Sequence, residues 1–172
     1  MAERLARLPR AIRLWTMLGA GCLAGAAPAA SDGLTDPLRF FEGRTESVGT
    51  VKLAMAKPYR SRAIGTGEIL PDGSLKLVQR IEDQGQQPRH RRWHMRQVAP
   101  GRFSGTMSEA RGPVTAEEVD GRFRFRFRME GNVAVEQWLT PINGGRAAKS
   151  HVSIRKYGVR VGSSEAVIRK LD

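Results

Sequence analysis

Apolar and polar residues alternate along most of the chain after residue 44, in short segments separated by glycine, proline and aspartate. The clearest case is GRFRFRFRME at 121–130, where phenylalanine and arginine alternate without a break. Side chains leave a β-strand on opposite faces at period two, so this segment predicts a strand with one aromatic and one cationic face. Burying each phenylalanine contributes about 2 kcal/mol, whereas four buried, unpaired arginines would cost far more. We therefore predict that Phe123, Phe125 and Phe127 lie inside and the arginines outside.

Ten segments have the composition and length of strands, and turn-forming residues separate nearly all of them at hairpin distance. Such short connections place each strand antiparallel beside its neighbour. Ten consecutive strands exceed what one open twisted sheet holds comfortably, and closure removes the exposed edges. The sequence predicts an all-β, antiparallel up-and-down barrel of 8–10 strands, with a two-sheet sandwich as the alternative. The predicted strands are 44–56, 60–69, 74–82, 89–98, 102–109, 113–119, 122–130, 132–140, 146–157 and 159–170.

A short helix is predicted just before the first strand. The segment 35–43 has Thr35 or Asp36 as a cap, Pro37 in the first turn and Gly43 as a stop. Its leucine and phenylalanines are too apolar for an exposed arm, so we expect this helix to plug one end of the barrel.

The first 29 residues have the pattern of a secretory signal peptide. Four arginines precede an apolar run at 14–27, and small residues follow it. The run is too short to span a bilayer as a helix. We predict a signal peptide at 1–29, a barrel domain at 30–172, and a location in the periplasm or cell envelope. Cys22 leaves open the alternative of a lipid-anchored protein.

The chain is strongly basic, with 29 Lys and Arg against 17 Asp and Glu and a formal net charge of +12. For an intracellular protein this would suggest nucleic acid. Predicted export argues against nucleic acid and leaves anionic lipid headgroups as a possible partner. However, 23 of the 29 basic residues are arginine, a bias that a GC-rich genome produces without any ligand. The charge alone therefore does not establish a partner.

The order of several short motifs resembles an uncharacterised bacterial family, domain of unknown function 3833. The motifs are FEGRTE at 41–46, PDG at 71–73, RW at 92–93, GTM at 105–107, ARG at 110–112, VEQW at 135–138 and RKYGVRVG at 155–162. The resemblance covers about residues 40–170. It implies a calycin- or lipocalin-like barrel, an envelope location and a lipidic ligand, but it supplies no catalytic residues. This chain departs from the pattern near Trp138, where Glu136 is the only acidic residue and relatives have more.

The segment 88–96 contains the densest group of polar side chains. On a strand, His90 and His94 would lie about 13 Å apart, so they cannot share one metal ion. We predict no metal site and no cofactor. Arg89 and Arg91 are expected at a rim, on the same face as an inward-pointing Trp93.

These patterns favour an exported protein that binds a hydrophobic or amphipathic small molecule, such as a fatty acid or other lipid, with no role for nucleic acid. Barrel mouths are a common place for such sites, and rim arginines would meet an acidic headgroup. One alternative is a lipid-modifying enzyme of isomerase or hydratase type, with Glu136 or His151 as proton carrier. Another is a ligand-free envelope protein that uses its arginine face. The predicted pocket-lining residues are Trp93, Phe123, Phe125, Phe127, Glu136, Trp138 and His151.

Overall fold

The computed structural model describes residues 36–172. The predicted signal peptide, including Cys22, lies outside the described residues. Within 36–172, no helix has both the length and the apolar composition needed to cross a bilayer.

Ten antiparallel strands follow one short helix, as the sequence predicts. Glycines or asparagines with positive φ occupy most of the turns, where a left-handed backbone is required. The elements are α1 (Pro37–Phe40), β1 (Gly43–Leu53), β2 (Tyr59–Ile69), β3 (Leu75–Asp83), β4 (Arg89–Ala99), β5 (Arg102–Met107), β6 (Val114–Val119), β7 (Arg122–Met129), β8 (Val133–Ile142), β9 (Ala147–Lys156) and β10 (Val159–Lys170).

The strands form a closed barrel in sequence order, sealed by pairing between the first and last strands. The β1–β10 register runs from Thr45 opposite Lys170 to Leu53 opposite Gly162. This closure confirms the up-and-down barrel and excludes the two-sheet sandwich. The β1–β2, β3–β4, β5–β6, β7–β8 and β9–β10 turns lie at one end of the barrel, which we call the mouth end.

The phenylalanine face of β7 points inward, as predicted. Phe123, Phe125 and Phe127 are buried, while the alternate arginines face outward and are exposed or half-buried. Edge-to-face packing joins Phe127 to Trp93 at 5.8 Å between ring centroids and Phe123 to Phe103 at 6.1 Å. This aromatic layer packs inside the barrel between β4, β5 and β7.

The short helix α1 closes the end opposite the mouth. Its apolar residues are buried with those of the barrel, and the Asp36 side chain accepts a hydrogen bond of 2.8 Å from the Leu38 amide. At the other end of α1, Lys170 Nζ donates to the carbonyls of Arg39, Phe40 and Glu42 at 3.1, 3.3 and 2.9 Å. Because Lys170 belongs to β10, this cap ties the plug to the closing strand.

The backbone of the plug passes directly over a glycine of β2. A Cβ atom at Gly67 would lie 1.9 Å from the Phe41 carbonyl oxygen, far inside van der Waals contact. The plug can reach this position only because residue 67 has no side chain.

We expect Gly67→Ala to lower the free energy of unfolding by about 1–3 kcal/mol, because the methyl group displaces a backbone segment that cannot simply rotate away. Denaturant unfolding followed by circular dichroism measures the change. Thr66→Ala, on the exposed face of the same strand, is the control and should stay within about 0.5 kcal/mol of the parent. An equally stable Gly67→Ala variant would contradict this packing.

Candidate ligand-binding cavity

A cavity of about 440 Å³ lies inside the barrel, between α1 and the mouth end. Half of the twelve lining residues on the strands beside the β1–β10 seam have small side chains, whereas large apolar side chains predominate on the opposite wall. The small ones are Ser47, Ser61, Ala63, Ser150, Ser164 and Ala166, and the large ones include Leu77, Trp93, Met95, Phe125 and Phe127. The cavity exists because one wall supplies too little side-chain volume to meet the other.

Polar groups are set into this mainly apolar lining. Trp93 Nε1 donates to Gln79 Oε1 at 2.8 Å, and Gln137 Nε2 donates to Ser150 Oγ at 2.9 Å. Within residues 36–172, the Gln79 amide nitrogen and the Gln137 amide oxygen have no hydrogen-bond partner.

Three further hydroxyls, those of Ser47, Ser61 and Ser164, face the cavity. The part of the chain that the structure describes offers them no side-chain hydrogen bond. The cavity wall can therefore donate and accept additional hydrogen bonds.

A cluster of two arginines and two carboxylates lies toward the mouth. Asp83 is buried and forms an ion pair with Arg89, and Arg91 Nε donates to Glu109 Oε2 at 2.6 Å. Glu109 also lies 3.4 Å from Arg89 Nε. Partial burial alone would lower the pKa of Arg89, but the hydrogen bond and charge of Asp83, with the charge of Glu109, raise that pKa overall.

The rim position expected for Arg89 and Arg91 is therefore observed, since both line the cavity. The sequence did not show that two carboxylates balance their charges. At the mouth of the cavity, these two guanidinium groups supply no net positive charge.

Three of the predicted pocket residues do line the cavity: Trp93, Phe125 and Phe127. Phe123 is fully buried, but it lies in the packed layer nearer the far end of the barrel, against Phe103, and outside the cavity lining.

The other three predicted pocket residues lie on the outer wall, so their expected position inside the cavity was wrong. On β8 the residues that face the cavity are Val133, Val135, Gln137 and Leu139, and Glu136 and Trp138 belong to the opposite face. Trp138 Nε1 donates to Glu136 Oε1 at 3.1 Å. His151, opposite Trp138 in the β8–β9 register, is exposed.

Outside the barrel, Trp138 packs against the arginine row. The guanidinium carbons of Arg122 and Arg124 lie 4.6 and 5.3 Å from the ring centroid of Trp138. Arg124 also forms an ion pair with Glu117, and Arg126 reaches the same carboxylate at 3.0 Å. The hydrogen bond from Arg124 is the main reason that the pKa of Glu117 is lowered. The row is therefore partly neutralised on the barrel surface.

Sequence reasoning missed the polar residues of the cavity, namely Ser47, Ser61, Gln79, Asp83, Gln137 and Ser164. Their alternation with outward residues was visible, but an inward serine or glutamine on a strand resembles an exposed one. Within residues 36–172, no three His, Cys, Asp or Glu side chains come close enough together to hold a metal ion.

The buried carboxylate of Asp83 depends on its partner. We expect Arg89→Met to lower the free energy of unfolding at pH 7 by about 2 kcal/mol, because the buried charge of Asp83 is left without its partner. This value is below that of a fully buried pair because Arg89 is partly exposed. Adding Asp83→Leu should recover most of that loss. Denaturant titrations of the two variants measure both changes, and additive losses would contradict the coupling.

Several solved structures share this fold. The S-type phycobiliprotein lyase CPES from Guillardia theta has a TM-score of 0.62 at 9% identity, covering 78% of this chain and 90% of that chain. Rv2717c from M. tuberculosis has a TM-score of 0.62 at 13% identity, covering 78% and 95%. Such low identities show the calycin-like barrel fold alone.

No curated protein matches the chain in sequence. The family described as Protein of unknown function (DUF3833) matches residues 20–170, which confirms the resemblance found in the sequence motifs, and the chain belongs to that family.

Proposed function

We propose that this protein is an exported carrier or receptor that holds a hydrophobic or amphipathic small molecule, such as a fatty acid or other lipid, inside its barrel. The observation that carries the proposal is the cavity of about 440 Å³, which falls within the size range of small-molecule sites. Its lining is also typical of such sites, since apolar walls carry a few polar groups. Export is supported by the arginine-rich start and apolar run of residues 1–29.

The lining indicates how such a ligand would be oriented. An apolar chain or ring would pack against Trp93, Phe125 and Phe127. Its polar group would hydrogen-bond to the free hydroxyls of Ser61 and Ser164, which face that wall across the cavity. Because Asp83 and Glu109 already balance the nearby arginines, hydrogen bonding would contribute more to recognition than net charge.

The geometry favours binding over proton-transfer catalysis. Glu136 and His151, the proton carriers of the enzyme alternative, lie on the outer wall and cannot reach a ligand in the cavity. Asp83 is the one carboxylate among the described residues in the cavity lining, and an arginine holds it. The Guillardia theta neighbour is named a lyase, but the shared fold at 9% identity carries no activity to this chain.

Reducing the volume of the cavity should weaken binding. We expect Ala63→Phe, which places a ring into the space beside Ser61, to weaken binding of a fluorescent fatty acid at least tenfold, because the ring occupies the ligand's volume. Fluorescence titration measures the affinity, and mass spectrometry of lipids extracted from the purified protein shows whether a native ligand is lost. Circular dichroism establishes that the variant is folded.

Two variants on the outer wall serve as controls for this experiment. Glu136→Gln and His151→Ala should bind the probe as the parent does, because neither side chain reaches the cavity. The binding proposal fails if no lipid is extracted and no probe binds the parent. Loss of probe binding in either control would indicate that the ligand binds on the outer wall and not in the cavity.

A further inference from the structure

Two neighbouring loops at the mouth end form an exposed surface beside the cavity. These are residues 52–60, the β1–β2 turn with the strand ends beside it, and residues 155–160, the β9–β10 turn with its strand ends. Together we call them the mouth lip. Pairing of β1 with β10 brings them together, and the Ala54 amide donates to the Val161 carbonyl at 2.8 Å. Leu53 and Tyr59 of the lip, and Ile154 next to it, line the cavity, so the lip borders its opening.

The mouth lip is cationic and contains no carboxylate. Neither range includes Asp or Glu, and its basic side chains are all exposed. Within residues 36–172, none of these basic side chains lies within 4.0 Å of a carboxylate. They are Lys52, Lys57, Arg60, Arg155, Lys156 and Arg160.

The rest of the mouth end is different, because its carboxylates are matched with arginines. The ion pairs are Glu82 with Arg80, Asp83 with Arg89, Glu109 with Arg91, and Glu130 with Arg111. Outside the lip, the arginines toward this end that have no carboxylate within 4.0 Å among the described residues are Arg92 and Arg128, against six basic side chains on the lip. Most of the uncompensated positive charge at this end is therefore on the mouth lip.

Large apolar side chains are exposed on the same surface. Leu53 is 37%, Met55 107%, Tyr157 73% and Val159 67% exposed, which makes four of the eight exposed large hydrophobic residues in 36–172. Half of these residues thus fall within two short loops. Such clustering indicates an interaction surface.

Backbone conformation gives a second, independent indication. Met55 and Tyr157 have positive φ angles of 63° and 50°. The other non-glycine residues with positive φ in the described chain are aspartate or asparagine, and these two residue types tolerate a positive φ far better than bulky side chains do. The lip therefore presents a methionine and a tyrosine at turn positions where their presence is unfavourable for the fold.

The combination of charges and apolar tips selects one kind of partner. A second copy docked through the same surface would place cation against cation, and nucleic acid would leave the exposed aliphatic side chains in water. An anionic bilayer satisfies both features, because its headgroups attract Lys and Arg while tyrosine and aliphatic side chains enter the interface.

We propose that the mouth lip docks on an anionic lipid bilayer, so that the opening of the cavity faces the membrane. A lipidic ligand could then pass between bilayer and barrel without crossing bulk water. Docking goes beyond the proposed ligand binding and does not require a bound ligand.

The first test is sedimentation of the full chain with vesicles of phosphatidylcholine, with and without phosphatidylglycerol. Lys57→Glu/Lys156→Glu/Arg160→Glu should weaken binding to the anionic vesicles about a hundredfold, since each cation near the surface contributes roughly fivefold. The control, Lys76→Glu/Arg92→Glu/Arg96→Glu, makes the same change in net charge on exposed strand positions away from the lip. It should bind within a few-fold of the parent, and equal losses in both variants would overturn the proposal.

The second test locates the contact independently of residues 1–35. In a Cys22→Ser background, an environment-sensitive dye on Met55→Cys should shift to the blue when anionic vesicles are added. The same dye on Val98→Cys, an exposed site at the opposite end of the barrel, should not shift. No shift at residue 55, an equal shift at residue 98, or an equal shift at residue 55 with a DNA oligonucleotide would each overturn docking on a bilayer.

These results remain separate from those for the ligand. Ala63→Phe fills the cavity but leaves the mouth lip intact, so it should bind anionic vesicles as the parent does. Failure of docking and failure of ligand binding would thus appear in different variants.

Discussion

The pairing of β1 with β10 is the contact on which the rest of the molecule depends. It joins the two ends of the described chain across nine register positions and removes the open edges of a ten-stranded sheet. It also places Lys170 where its ammonium group can cap α1. The strand that closes the barrel therefore also holds the helix that plugs its end. The two loops of the mouth lip become neighbours through the same seam.

Closure alone would give a filled barrel, and the distribution of side-chain size turns it into a container. Strands β3, β4, β7 and β8 line the cavity mainly with large apolar and aromatic side chains, whereas half of the lining residues on β1, β2, β9 and β10 are serine or alanine. Unequal walls leave a space that has an aromatic side and a hydroxyl-bearing side. An amphipathic ligand matches that division better than a purely apolar one.

Electrostatic balance also differs from one part of the surface to another. Arg122, Arg124 and Arg126 of the β7 row, and the arginines at the cavity mouth, contact carboxylates or an aromatic ring on neighbouring strands. Such pairing makes much of a strongly basic composition a feature of the folded wall. The exposed cations of the mouth lip have no carboxylate partner within residues 36–172, although Lys156 lies 5.9 Å from the ring centroid of Tyr157. For that reason we assign contact with an anionic surface to the lip and not to the arginine row.

The sequence by itself determined the strands, their neighbours, the plug and the inward face of β7, because period-two alternation and turn residues act over a few positions. The sequence failed for Glu136 and Trp138, since β8 has apolar residues on both faces, and for His151 on β9, opposite Trp138. Only the register among β7, β8 and β9 decides which face of these strands is inside. Tertiary structure alone decided the cavity, the ion pairs and the mouth lip. Each of these joins residues far apart in the chain, and their juxtaposition follows from cross-strand register and barrel closure, which no local pattern encodes.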